Sequence, residues 1–365
     1  MEDLLNKTTD NRNYGIDFLK ILSMFFIVIL HSLGHGGLLN HVSASSIQYK
    51  FVWIIEIIAY CAVDIFGLIS GYVSYTKEEK KVKISNFMKL WMQVVFYSLS
   101  ITIIFYIFKK NSVLKGDFVS AITPISNNLY WYFTAYAGLF VFMPFINKAI
   151  RNSDNIFLRK LFYIIILVFS IFDTKYKRFG LSNGYSFAWL LILYVLGAII
   201  KKCDIGKDCK AWETVLFIFA LYLITYLNKI FKFKYQGILL SYTSPTVLGV
   251  AIMYLIGFSK IKFNNIPKKI IKFGVVSSFT IYLINDNPIF RKYIIKGLFA
   301  VMANRTTIEI IIVILGFALS FVILSILVDK IRLFLFIIFH IEILINKFSA
   351  MISTLYNRVL HIESN

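Results

Sequence analysis

Asp17, Lys20 and His31 are the side chains of this sequence best placed to do chemistry together, and all three fall in one apolar run, IDFLKILSMFFIVILH. In an α-helix the step from 17 to 20 is about one turn, and the step from 20 to 31 is about three. His31 therefore projects within roughly 20° of Lys20 around the axis, about 16 Å further along it. Ionisable groups inside a membrane span are costly, so a stripe of them by default faces a protein interior and marks a functional site. An imidazole there suits proton transfer near neutral pH, or transient capture of an acyl group. Asp17 beside Lys20, with Arg12 just upstream, favours the charged form of both and presents positive charge to a phosphate. The plainer reading is that Asp17 and Lys20 mark the membrane interface, with Lys20 snorkelling, and that His31 caps a helix end.

Other candidates are scattered along the chain. His35 lies one turn beyond His31, among Gly34, Gly36 and Gly37. This reads either as a flexible rim of a cavity or as an ordinary helix end followed by glycine. Glu56 and Asp64 are intramembrane carboxylates of the next apolar run, which closes in AVDIFGLISGY. There Gly67 and Gly71 have the spacing that lets helices approach closely, and Ser70 can hydrogen-bond across such a contact. Trp131 and Tyr132 follow Tyr130 at a membrane boundary; such rings form interfacial belts, and sugars also stack on them. In YLINDNPIFRKY, Asp286 is placed to bind a polar substrate or to cap the break that Pro288 enforces.

The elements that must position these residues are membrane helices. The 365 residues are 58% hydrophobic and 16% charged, with a mean hydropathy of +0.73, and the apolar residues come in runs near the length of a bilayer crossing. About ten spans are expected, at 16–38, 51–72, 86–108, 129–147, 161–173, 186–200, 212–228, 238–258, 273–290 and 307–328. The fold class is thus an all-α polytopic bundle. The net charge of +20 is better explained by basic loops retained in the cytoplasm than by nucleic acid. The clusters Lys77/Lys80/Lys81/Lys83, Lys148/Arg151/Arg159/Lys160, Lys201/Lys202/Lys207/Lys210 and Lys260/Lys262/Lys268/Lys269/Lys272 share one side when both termini are cytoplasmic. The first span, carrying Asp17 and Lys20, does not read as a cleaved signal. Three cysteines make no disulfide framework, and no Cys/His pair has metal-ligand spacing, so no metal is expected. After about residue 330 the chain is amphipathic and reads as an interfacial helix, an eleventh span being the alternative. Intramembrane Asp17, Glu56, Asp64 and Asp286 also allow a proton-coupled transporter or flippase of a glycan-related substrate. No internal repeat or matched pair of broken helices supports that reading.

Lys20-x10-His31 preceded by Asp17, FGLISGY (66–72), YWYFTAYAGLFVFMPFIN (130–147), GYSFAWLLILYVLGAII (184–200) and YLINDNP (282–288) together resemble the acyltransferase-3 family of integral-membrane acyltransferases. The resemblance covers nearly the whole chain. It implies a stand-alone transmembrane acyltransferase domain over 1–330, without a C-terminal esterase-like domain, and a cytoplasmic amphipathic tail over 331–365. It implies acetyl-CoA or a related acyl-CoA as donor and a hydroxyl of an envelope or extracellular glycan as acceptor, in a bacterial cell membrane. His31, Lys20 and Asp17 take the family's catalytic positions. Arg12, Lys20, Lys77, Lys80, Lys81 and Lys83 are then expected to hold the CoA phosphates. His35, Glu56, Asp64, Ser70, Tyr72, Trp131, Tyr132 and Asp286 are expected around the acceptor. Two positions depart from the pattern. Lys20 stands where many members have Arg, which keeps the charge but loses bidentate phosphate recognition. Asn285 stands where related sequences often have His.

Overall fold

The structure is a computed structural model and describes residues 12–78, 83–231 and 239–359. Among these the chain is helical, with no strands. The helices are α1 (Tyr14–Leu33), α2 (Leu38–His41), α3 (Ile47–Ala59), α4 (Ala62–Ser74), α5 (Ile84–Phe108), α6 (Lys115–Ile122), α7 (Trp131–Asn152), α8 (Asn155–Ile165), α9 (Asp173–Tyr176), α10 (Phe187–Lys202), α11 (Ala211–Ile230), α12 (Pro245–Ser259), α13 (Asn265–Val275), α14 (Ser278–Asn285), α15 (Pro288–Phe290), α16 (Thr307–Ile338) and α17 (Ile341–Val359). Seven helical stretches among the described residues are long and apolar enough to cross a membrane, and α12 is a shorter apolar helix. The protein is an all-α membrane bundle.

Helix α1 is the hub. It packs against α3, α4, α12, α13, α14 and α16, which is why Ile16, Leu19, Val28 and Leu33 are almost wholly buried. Asn13 starts it: its Oδ1 accepts from the Ile16 N–H at 3.1 Å, while its Nδ2 donates to the Ser259 carbonyl at 2.6 Å. One side chain thus caps α1 and ties it to the end of α12. Gly15 is required there, since a Cβ would lie 1.9 Å from the Phe258 carbonyl oxygen.

The Gly67/Gly71 spacing does what small residues at a helix contact do. A Cβ on Gly71 would stand 1.8 Å from the Tyr194 carbonyl oxygen, and one on Gly197 of α10 would stand 2.0 Å from that of Leu68. Helix α10 is correspondingly buried around most of its circumference, from Trp189 to Ile200. Helix α11, by contrast, exposes Val215, Leu216, Phe219 and Leu223, an apolar face suited to lipid.

Three expected spans differ from the observed helices. The run 51–72 is two helices, α3 and α4, separated at Tyr60–Cys61. The run 273–290 is α13, α14 and α15, the last break being fixed by Asn287, whose Oδ1 caps the N–H groups of Ile289 and Phe290 around Pro288. Helix α16 continues well past 328 because its first polar turn there is internally paired. Asp329 and Arg332 form a buried ion pair at 2.6 Å, and Tyr97 and Thr280 also donate to Asp329. The following α17 is amphipathic and reaches α5 through a Lys89–Glu342 ion pair, which holds the Glu342 carboxyl below its ordinary range.

Candidate active site

The charged stripe forms as the spacing requires. Asp17 is buried and accepts from Arg12 Nε at 2.5 Å, with Lys20 Nζ 3.8 Å from its other oxygen. One carboxylate between two cations leaves a net positive centre at this end of α1. About three turns further on, His31 is half-buried, and its Nδ1 lies 2.5 Å from Asn285 Oδ1. In the tautomer that makes this contact a hydrogen bond, Nδ1–H donates to the amide oxygen and Nε2 keeps its lone pair. That is the tautomer a general base needs.

Two cavities follow the stripe. The first, about 320 Å³, contains His31 and His35 together with Glu56, Tyr60, Trp131, Tyr132, Tyr185, Tyr242, Tyr282, Asp286 and Arg291. The second, about 290 Å³, lies toward the Arg12 end and contains Lys20, Ser70, Ser74, Gln93, Tyr132 and Tyr136. Both are in the range of small-molecule sites. Phe66, Tyr132 and Phe279 line both, so these three rings stand between the two cavities.

One wall of the first cavity is a row of aromatic rings. Trp131 to Tyr185, Tyr185 to Tyr242 and Tyr242 to Tyr60 have centroids 4.9, 5.0 and 5.1 Å apart. Tyr185 is exposed, whereas Tyr242 and Glu56 are buried. Glu56 Oε2 has no hydrogen-bond partner among the described residues.

Each polar residue of the NDNP segment has a separate task. Asn285 fixes His31. Asp286 pairs with Arg291 at 2.8 Å and lines the cavity. The cap at Pro288 belongs to Asn287, which also donates to the Tyr130 hydroxyl at 3.0 Å. His31, His35 and Asp286 each bring a ligand atom within 4.8 Å of one another, a constellation able to hold a divalent ion. Linear spacing hid it, because Asp286 arrives from a distant helix.

Other expected site residues sit elsewhere. Asp64 is fully buried and accepts from Trp189 Nε1 at 3.0 Å, joining α4 to α10; it lines neither cavity, and its Oδ2 has no hydrogen-bond partner among the described residues. Tyr72 lies under Lys201, whose Nζ is 5.3 Å from the ring centroid, and lines neither cavity. Ser70 lines the second cavity while its hydroxyl donates to the Phe66 carbonyl. Lys77 and Lys83 are exposed beside the second cavity's end of α4 and α5, and Lys80 and Lys81 lie outside the described residues. The glycine-rich rim after His31 is held by the backbone rather than loose: Gly297 N–H donates to the His35 carbonyl and Phe299 N–H to that of Gly36. Gly37 turns the chain there with φ +87°.

Sequence reasoning missed Asn285 as the partner of His31. It also missed the Gln93–Thr280–Asp329 chain, in which Gln93 Nε2 donates to Thr280 Oγ1 at 2.8 Å and Thr280 donates to Asp329 at 2.7 Å. Only the unusual residue type at 285 gave a signal for the first.

No curated protein and no solved structure matches the chain. A family model described as an acyltransferase domain matches residues 13–328, a stretch that contains the linings of both cavities, the charged stripe and all of the hub except the end of α16. The chain belongs to the acyltransferase-3 family and is a membrane acyltransferase.

Proposed function

We propose that the protein moves an acetyl or related acyl group from acyl-CoA, bound from the cytoplasm, to a hydroxyl of an envelope or extracellular glycan of a bacterial cell. The observation that carries this reading is the oriented His31, with Nε2 free in an aromatic cavity that adjoins a second, basic-ended cavity. The CoA phosphates dock at the Arg12/Lys20 end, with Lys77 and Lys83 nearby, and both termini lie on that side. The pantetheine arm extends along the second cavity toward the shared rings. The glycan enters the first cavity and stacks on the Trp131–Tyr185–Tyr242–Tyr60 row, where Glu56 accepts from its hydroxyl groups. Asp286, Arg291 and His35 supply further polar contacts.

His31 Nε2 takes the proton from the acceptor hydroxyl as the oxygen attacks the thioester carbonyl. Asn285 accepts from Nδ1–H throughout and stabilises the imidazolium that forms. Collapse of the tetrahedral intermediate breaks the C–S bond, and the thiolate recovers the proton from His31. Asp17 serves Lys20 rather than the reacting atoms, by holding it in register with Arg12.

The test is sidedness. Proteoliposomes of one orientation receive radiolabelled acetyl-CoA on the Arg12 face and enclose a polysaccharide acceptor on the other. Label on the enclosed polysaccharide supports the reading. Label only on acceptor supplied to the acetyl-CoA side, or glycan flux that needs no acyl-CoA, overturns it.

A further inference from the structure

The two cavities share three lining side chains, Phe66, Tyr132 and Phe279, which stand between them. Phe66 and Phe279 offer only hydrocarbon. Tyr132 is 6% exposed, its ring meets Phe66 edge-on at 5.6 Å, and its hydroxyl, with Ser70 as a polar neighbour, makes no hydrogen bond of ordinary geometry among the described residues. A buried hydroxyl left unmade costs stability, about 1–3 kcal/mol in general, so its retention between the cavities needs a reason. The nearby Tyr282, with its ring centroid 6.2 Å from that of Tyr132, lines the first cavity, and its hydroxyl, beside Asp286, also makes no hydrogen bond of ordinary geometry among the described residues.

We infer that the Tyr132 hydroxyl is the oxyanion donor of the transfer step, with Tyr282 its second donor. This rests on the acyl-CoA reading above. A thioester arriving through the second cavity and a hydroxyl arriving through the first meet at the rings that stand between the cavities. As the acceptor oxygen bonds to the carbonyl carbon, the C=O π pair moves onto oxygen, and Tyr132 O–H donates to that oxyanion. The pair returns as C=O re-forms and C–S breaks, so Tyr132 neither gains nor loses a proton. The donor is already desolvated and otherwise idle, which is the arrangement that makes such a hydrogen bond stronger in the transition state than in water.

The test compares wild type, Tyr132→Phe, Tyr282→Phe and His31→Ala for thiol release from acetyl-CoA with a mixture of methyl glycosides as acceptor. Thermal stability is measured in parallel. Tyr132→Phe should lower kcat by about 10²–10³-fold, leave the KM for acetyl-CoA within about twofold, and leave the melting temperature equal or higher, because an unpartnered hydroxyl is removed. Tyr282→Phe should show a smaller loss in kcat. Replacing Tyr132 with 3,5-difluorotyrosine keeps ring and hydroxyl while strengthening the donor, and should hold or raise kcat where Phe lowers it. A Tyr132→Phe enzyme with wild-type kcat, while His31→Ala is dead, overturns the oxyanion assignment and leaves the acyltransfer reading intact. Equal thiol release by wild type and His31→Ala overturns both.

Discussion

Replacing Asn285 by Leu removes the one acceptor that the structure gives to His31 Nδ1, at 2.5 Å, without changing side-chain size greatly. Asn285 is fully buried, so water does not substitute freely for its amide. In the resting enzyme the loss frees the ring to exchange tautomers and rotate. During transfer it removes a hydrogen bond to a developing imidazolium. Hydrogen bonds to charged groups contribute about 1.5–3 kcal/mol, and each 1.36 kcal/mol is tenfold in rate, so kcat should fall by roughly 10- to 10²-fold. The KM for acyl-CoA should stay near wild type, because the phosphates dock at the far end of α1. Asn285→Asp keeps an acceptor at the same place and should retain activity within about tenfold. The assay is initial-rate thiol release by detergent-purified protein, with size-exclusion profiles confirming that each variant is folded. An Asn285→Leu enzyme within threefold of wild-type kcat would refute the claim that this contact orients the base.

Three further outcomes follow from the same geometry. Glu56→Leu should raise the acceptor KM by roughly two- to tenfold, the cost of one hydrogen bond, while holding or raising the melting temperature, since a buried polar group with an unpartnered oxygen is removed; steady-state kinetics and differential scanning fluorimetry read the two effects. Gly71→Ala should prevent folding or expression of a monodisperse protein, because its Cβ would stand 1.8 Å from the Tyr194 carbonyl oxygen; fluorescence-detected size exclusion checks this. Zinc should inhibit transfer by capturing His31 together with His35 and Asp286, and His35→Ala should lose most of that inhibition, measured as a shift in the inhibitory zinc concentration relative to each protein's own zinc-free rate.

Much of the site was legible because it lies on one helix. Asp17, Lys20 and His31 share a face through helical periodicity alone, and the structure joins Asp17 to both of its basic neighbours. The Gly67/Gly71 contact was legible for a similar reason: small residues four apart have few other uses in an apolar helix. What the sequence hid was long-range. Asn285 reaches His31 across 254 residues, and Asp286 joins the histidines because α14, whose C-cap it is, packs against α1. Asp64 is ambiguous in sequence because a buried carboxylate signals either catalysis or a helix contact; in the structure Oδ1 accepts from Trp189 while Oδ2 has no partner among the described residues. The helix breaks at Tyr60–Cys61 and the extension of α16 past Asp329 escaped hydropathy for opposite reasons. The first has no Gly or Pro to announce it, and the second hides its charges in a buried pair.

The central claim is that His31 drives transfer from an acyl-CoA thioester. The most direct measurement is acetyl-CoA turnover by purified wild-type protein beside His31→Ala, followed as free thiol in the presence of envelope glycan. Thiol release by the wild type that is lost in a normally folded His31→Ala variant is the predicted result. Equal release by the two proteins, or none by the wild type with glycan supplied, would contradict it.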